Sequence, residues 1–277
     1  MRPMKGLRSS RSPALAATFA LAACATVQTT QPGAVGIERK QTMLVSEASV
    51  EQGAQKAYAT EVQQATAGGK LNADPALTAR IRRITGRLIP VTAAFRPDAP
   101  GWQWEVNTLT TPEMNAYAMP GGKIMVYSGL VEKLQLSDGE IAAVLGHEIS
   151  HALREHTRER VSRAYEQKVA LLGFAVLTGV DPGTVDLADA VASVTFQLPH
   201  SREQEAEADV MGLELMARAG YDPHEALSLW KKMMAAEQSA PPQFLSTHPA
   251  SANRIAELER HIPQVMPLYE AAAARSG

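Results

Sequence analysis

The chain has 277 residues, 45% of them apolar and 20% charged, so it can bury a sizeable core and is too polar to be embedded throughout in a membrane. A formal charge of −2 offers no basic footprint, which argues against nucleic acid as a partner. Aromatic residues make up only 5% and alanine-rich stretches dominate, so a mainly helical fold is expected.

The N-terminus bears on compartment. MRPMKGLRSSRS carries Arg2, Lys5, Arg8 and Arg11 without an acid, and PALAATFALAAC follows as a short apolar run ending in small residues. That is the layout of a secretory signal peptide over residues 1–23, too short for a spanning helix. The only cysteine, Cys24, closes this run in Leu21-Ala22-Ala23-Cys24. The pattern resembles the bacterial lipobox, in which the cysteine is lipidated and becomes the first mature residue. The plain alternative is a cleaved signal with Cys24 a chance small residue. By the same resemblance, Ala25 rather than aspartate after the cysteine implies the outer membrane. Residues 24–45, which include ATVQTTQPGAVG, read as a lipidated, flexible tether, and 46–277 as one folded domain.

Further on, Glu47 to Ala67 is helix-permissive and stops at Gly68-Gly69. Asp74-Pro75 supplies an N-cap and a first-turn proline, and Leu77, Ile81, Ile84 and Leu88 form an apolar stripe at helical spacing. WQWEVNTL alternates Trp102, Trp104 and Val106 with polar neighbours, as a half-buried strand does. NAYAM and KIMVYSGL are further strands on either side of the Pro120-Gly121-Gly122 turn. The expected fold is therefore α+β, mainly α with a small antiparallel β-sheet.

In LSDGEIAAVLGHEISHALREH, Ser137 and Glu140 form a capping box, and Ile141, Val144, Leu145, Ile149 and Ala152 imply a buried helix. The apolar run Val169 to Val180 is too short to span a bilayer and reads as a buried helix or a membrane-surface contact. Helices are expected again from near Val185, across SREQEAEADVMGLELMARAG, after Asp222-Pro223, and as a pair after His248-Pro249.

His147 and His151 are four residues apart, so one helix face can present both imidazoles to one ion. Zinc accepts neutral imidazole and, in catalytic sites, keeps a position for a water whose pKa falls to about 7. Glu148 can take that water's proton and pass it to a leaving amine. A surface helix with two solvated histidines is the bland alternative, and the apolar neighbours speak against it. A third ligand is needed. On a continuous helix at about 100° per residue, His156 points away from both, and is assigned beside the ligands or to solvent. Glu205 and Asp209 share a helix face, while Glu203 and Glu207 fall on another. One carboxylate can bind the ion and its neighbour can receive a histidine N–H; an acidic solvated face is the alternative.

HEISH, followed by SREQEAEAD, with NAYAMPGGKIMVYSGL upstream and ARAGYDP downstream, resembles the zinc metallopeptidase family of HtpX and the CAAX prenyl protease. The resemblance covers Ser46 to Ile262 and points to the periplasmic lipoprotein branch. It implies a zincin-like metalloprotease domain, one zinc held by His147, His151 and Glu205, and Glu148 as general base. It also implies Asp209 as the carboxylate behind a ligand, with Arg202 near the cleft. An extended or unfolded polypeptide substrate is expected along an edge strand, for which Asn115, Ala116, Tyr117, Ala118 and Met119 are the candidates.

His248, in Thr247-His248-Pro249, is a candidate for reaching the metal and holding the enzyme inactive; a structural turn is the alternative. The function expected is a zinc endopeptidase acting on misfolded or unassembled envelope proteins. Its rivals are a lipoprotein chaperone or assembly factor of the same fold, and a zinc hydrolase of non-peptide substrates.

Overall fold

The computed structural model describes residues 25–178, 186–237, 243–249 and 251–276. The leader with Cys24, and the side chains of the Val169 to Val180 run, lie outside the described residues. Among the described residues no helix is long and apolar enough to cross a membrane.

The chain opens with a two-stranded antiparallel ribbon, β1 (Ala25–Val27) and β2 (Gln41–Met43). Helix α1 (Glu47–Ala67) stops at Gly68, and α2 (Pro75–Leu88) starts where Asp74 accepts bonds from the amides of Ala76 and Leu77. Strands β3 (Glu105–Leu109), β4 (Ala116–Met119) and β5 (Lys123–Tyr127) form the main sheet in the order β3-β5-β4.

The sheet departs from the antiparallel expectation in one pairing. β4 and β5 are an antiparallel hairpin around Gly121-Gly122, but β3 pairs with β5 in parallel. The reason lies in residues 110–115, which cross over the end of β5 and deliver β4 to its far side. Thr111 O accepts from the Gly129 amide and Asn115 O from the Tyr127 amide along that crossing. The strand also begins later than the aromatic alternation suggests. Trp102 and Trp104 precede β3 and stack on each other, with centroids 5.5 Å apart.

After α3 (Ser128–Lys133), helix α4 (Asp138–Leu153) begins with the Ser137–Glu140 capping box and is buried from Gly139 onward. It ends abruptly. Glu155 adopts φ +53°, and α5 (His156–Thr178) starts in a new direction. Helix α6 (Leu187–Phe196) lies against α1, and α7 (Arg202–Arg218) packs along α4. Helices α8 (His224–Glu237), α9 (Gln243–Thr247) and α10 (Ala252–Ser276) follow. α10 is one helix containing Pro263 and Pro267, where the sequence suggested a pair.

Two glycines set the α4–α7 distance. A Cβ on Gly146 would sit 2.8 Å from the carbonyl oxygen of Gly212, and one on Gly212 would sit 2.8 Å from the amide nitrogen of His147. The two backbones touch there, and no side chain fits between them.

The expected flexible tether is not a tether over its described part. Residues 25–45 wrap the body as a strap. The amides of Ala34 and Val35 donate to Glu214, the Gln31 amide donates to the Phe95 carbonyl, and those of Leu44 and Val45 donate to Ser162. Gln41 is fully buried and donates to the Arg154 carbonyl. Small polar residues that look like a linker in sequence are thus satisfied by tertiary partners.

Arg39 of the strap grips Glu159 at 2.7 Å. Burial alone would push the Glu159 carboxyl up, but bonds from Arg39, Gln204 and Gln41 outweigh it and bring it down to about 2. This contribution is complete above the ordinary carboxyl value and is lost as pH falls through the depressed one. Urea titrations of wild type and Glu159→Gln should therefore differ by on the order of 3 kcal/mol near neutral pH, and the gap should close between about pH 4.5 and 2. A pH-independent gap would contradict the assignment.

Gly212→Ala should cost about 1–3 kcal/mol by overpacking, seen as a melting temperature several degrees lower. An unchanged melt would mean the helices separate at no cost.

Candidate metal centre

α4 places His147, Glu148 and His151 on its buried length, and α7 places Glu205 and Asp209 opposite. All five side chains are at most 4% exposed. The structure brings together one ligand atom each from His147, His151, Glu205 and His248, mutually within 4.8 Å.

Hydrogen positions follow from the partners. His147 Nδ1 lies 3.0 Å from Asp209 Oδ1, so it carries the proton, and Nε2 keeps a lone pair. His151 Nδ1 lies 2.8 Å from His156 Nδ1, and its Nε2 points at His147 Nε2, 3.1 Å away. His156 Nε2 donates to the Glu207 carboxylate, so neutral His156 accepts at Nδ1 from His151. Two acceptor nitrogens then face each other, with Glu205 Oε1 3.4 Å from His151 Nε2 and Oε2 3.7 Å from His147 Nε2. Neutral imidazoles do not hydrogen bond lone pair to lone pair. A shared cation satisfies them all.

The carboxylates point to the same requirement. Glu148 Oε1 is buried and accepts no hydrogen bond among the described residues. Glu205 Oε2 comes within 2.6 Å of Arg254 Nη1 but outside hydrogen-bond geometry. Three buried carboxylates, Glu148, Glu205 and Asp209, are in contact with the single guanidinium of Arg254 or with imidazole. A divalent ion bound by two imidazoles and a carboxylate would balance this charge, and the donor set suits zinc.

Burial pushes the Glu148 carboxyl up, opposed by the charge of His248 and by the Ala118 backbone amide. Burial also drives His151 well down, keeping it neutral. His248 is raised: burial opposes this, but the Glu205 and Glu148 carboxylates outweigh it. Asp209 is held below the ordinary range despite burial, by Arg254 and His147.

Several placements differ from the sequence reading. Arg202 is exposed, and among the described residues no hydrogen bond joins it to the cluster. The guanidinium that serves it is Arg254 of α10, bonded to both oxygens of Asp209 at 2.7 Å and lying 3.7 Å over the Trp230 ring. His156 does not point away. The break at Glu155 lets the first residue of α5 turn back onto His151, so the continuous-helix angle does not apply. Glu207, set apart on another face of α7, bonds His156 Nε2 at 3.0 Å. His200, unassigned by sequence, stacks on His248 at 4.8 Å between centroids. Only its Leu-Pro-His-Ser setting, just ahead of the Ser201 cap, hinted at it.

Ala116 to Met119 form the edge strand β4, with Asn115 just before it. That edge is covered. Between β4 and the cluster lies a cavity of about 20 Å³, walled by Ala118, Glu148, His151, Phe196, His200 and His248. It is too small for a peptide side chain.

Residues 75–262 match peptidase family M48. Among curated relatives, the mitochondrial metalloendopeptidase OMA1 of Schizosaccharomyces pombe is 34% identical over 68% of this chain and 53% of its own length. The OMA1 of Saccharomyces cerevisiae is 34% identical over 61% of this chain and 50% of its own. The beta-barrel assembly-enhancing protease of Escherichia coli is 29% identical over 75% of this chain and 43% of its own. The chain spans about half the length of the curated relatives it matches.

Proposed function

The chain belongs to peptidase family M48, and from that membership and the buried His/His/Glu cluster we propose that it is a zinc metalloendopeptidase of the bacterial cell envelope. The single observation that carries the reading is the pair of imidazole nitrogens facing each other at 3.1 Å beside Glu205.

His147, His151 and Glu205 would hold the ion. When bound, zinc supplies Lewis-acid polarisation that makes water acidic near neutral pH and stabilises developing oxyanion charge. Glu148 does the proton work. Its unbonded, buried oxygen is raised in basicity, so it can take a proton from the attacking water and later deliver it to the leaving amine. Asp209, gripped by Arg254, keeps the His147 proton on Nδ1 and its lone pair on the metal side.

The substrate would be an extended or unfolded polypeptide added as a strand to the β4 edge at Asn115 to Met119. Main-chain bonding there gives loose sequence preference. Because His248, His200 and Phe196 wall the cavity, this strand can enter only if they move. His248 is then the latch. Its Nδ1 lies 2.9 Å from Glu205 Oε1 and 3.3 Å from His147 Nε2, within reach of the metal position.

The envelope setting is supported by the basic, apolar leader and Cys24, read as the anchor to the outer membrane, and by the likeness to beta-barrel assembly-enhancing proteases. Misfolded or unassembled envelope proteins are the substrates this implies. The compartment rests on the leader, since other relatives are named mitochondrial.

Metal analysis and casein digestion of wild type and Glu148→Gln test the reading. The variant should keep one zinc and lose cleavage by at least about a hundredfold. Unchanged cleavage removes Glu148 from the mechanism, and zinc-loaded wild type that binds casein without cutting it favours a chaperone. For the latch, His248→Ala should raise basal proteolysis severalfold; an unaltered rate would eliminate it.

A further inference from the structure

The two imidazoles at the proposed zinc site are braced differently. His147 reaches its carboxylate directly, through Asp209. His151 meets Nδ1 of His156 at 2.8 Å instead, and His156 Nε2 lies 3.0 Å from Oε2 of Glu207. Two guanidiniums hold that carboxylate. Both reach the two oxygens: Arg154 places Nη2 3.0 Å from Oε1 and Nε 3.3 Å from Oε2, and Arg39, at shorter range, places Nε 2.8 Å from Oε1 and Nη2 2.9 Å from Oε2. The remaining edge of Arg39 bonds both oxygens of Glu159, at 2.7 and 3.0 Å.

The hydrogens along this line are fixed by its two ends. With Nε2 of His151 facing the metal, its proton sits on Nδ1, and Nδ1 of His156 must accept it. His156 then carries its own proton on Nε2 and donates to Glu207, which as a carboxylate only accepts. Reversing one link reverses the rest.

We propose that Arg39, in the N-terminal strap, is a positioning residue for the metal centre, acting through Glu207 and His156 on the ring of His151. The inference rests on the zinc site proposed above. A carboxylate can rotate about its last bond; a guanidinium forked onto both oxygens fixes its plane and so fixes which oxygen His156 meets. The strap therefore forms part of the metal site. A residue that only tacked the strap down would act as Glu214 does, which accepts the Ala34 and Val35 amides without touching this line.

The test uses the full chain with Arg39→Met, Glu207→Gln and Glu214→Gln. Zinc dissociation constants come from chelator competition, histidine tautomers from ¹⁵N NMR of the zinc-loaded protein, and melting temperatures from the metal-free protein. Wild type should bind one zinc with His156 protonated on Nε2. Glu207→Gln, which replaces one accepting oxygen with a donating amide, should loosen the hold on His156 and weaken zinc binding about 10–100-fold, and Arg39→Met should weaken it about tenfold. Glu214→Gln should keep wild-type zinc affinity whatever its melting temperature.

Wild-type affinity in Arg39→Met overturns the inference and leaves the site reading intact. Equal weakening in Glu214→Gln also overturns it, because strap docking in general would then be the cause. A wild type that binds no zinc sinks the site reading and this inference together.

Discussion

The site depends on a backbone contact. Where α4 crosses α7, Gly146 and Gly212 allow the two helices to approach until main-chain atoms meet. Each helix supplies only part of the proposed metal site. α4 has two imidazoles and Glu148, and α7 has the carboxylates. An ion with bonds near 2 Å tolerates little error in the gap between them, and side chains at the crossing would widen it. Burial follows from the same approach. With α7 on one side and β4 on another, α4 has no solvated face along most of its length, so each polar group on it must find a specific partner.

Charge is the second constraint. Carboxylates and imidazoles are concentrated in a space that excludes water, where unpaired groups are costly. The protein answers with arginines placed behind the carboxylates, Arg254 on Asp209 and Arg39 with Arg154 on Glu207. Among the described residues neither Arg39 nor Arg154 bonds the nitrogens and oxygens proposed to face the metal, whereas Arg254 also comes within 2.6 Å of Glu205 Oε2. The carboxylates stay ionised, the histidine protons stay on the far nitrogens, and the lone pairs converge.

Much of α4 was legible because its information is local. The Ser137–Glu140 capping box, the i,i+4 histidines and the apolar neighbours all lie within one helix, as do Glu205 and Asp209 on α7. The ends of α1 and α2 were equally plain, marked by Gly68 and by Asp74-Pro75. What was missed is non-local or depends on a break in regularity. His156 lies beside His151, one of its two expected placements, but not on the expected angular grounds: one residue, Glu155, leaves the helical region and redirects the chain. Arg254 and His200 reach the cluster from segments with no motif of their own. The parallel pairing of β3 depends on a crossover that alternation does not encode. The strap read as a linker because its polar residues find partners only in the folded protein. Gln41, fully buried against Arg154 and Glu159, shows how little composition says in such a case.

The bracing also explains why a bare helix pair would be an insufficient description of the site. One arm runs from His147 through Asp209 to Arg254, in the first turn of the last helix of the described chain. The other runs from His151 through His156 and Glu207 to Arg39, close to its start. The short arm ends on a helix packed against α7, so it is rigid to the extent that the helical core is rigid. The long arm ends on a strap held by hydrogen bonds to loops and helix surfaces, which is the less cooperative kind of attachment. Any loosening of the body should therefore reach His151 before His147. On the proposed site, such an arrangement would keep His147 fixed while the orientation of His151 follows the state of the N-terminal segment.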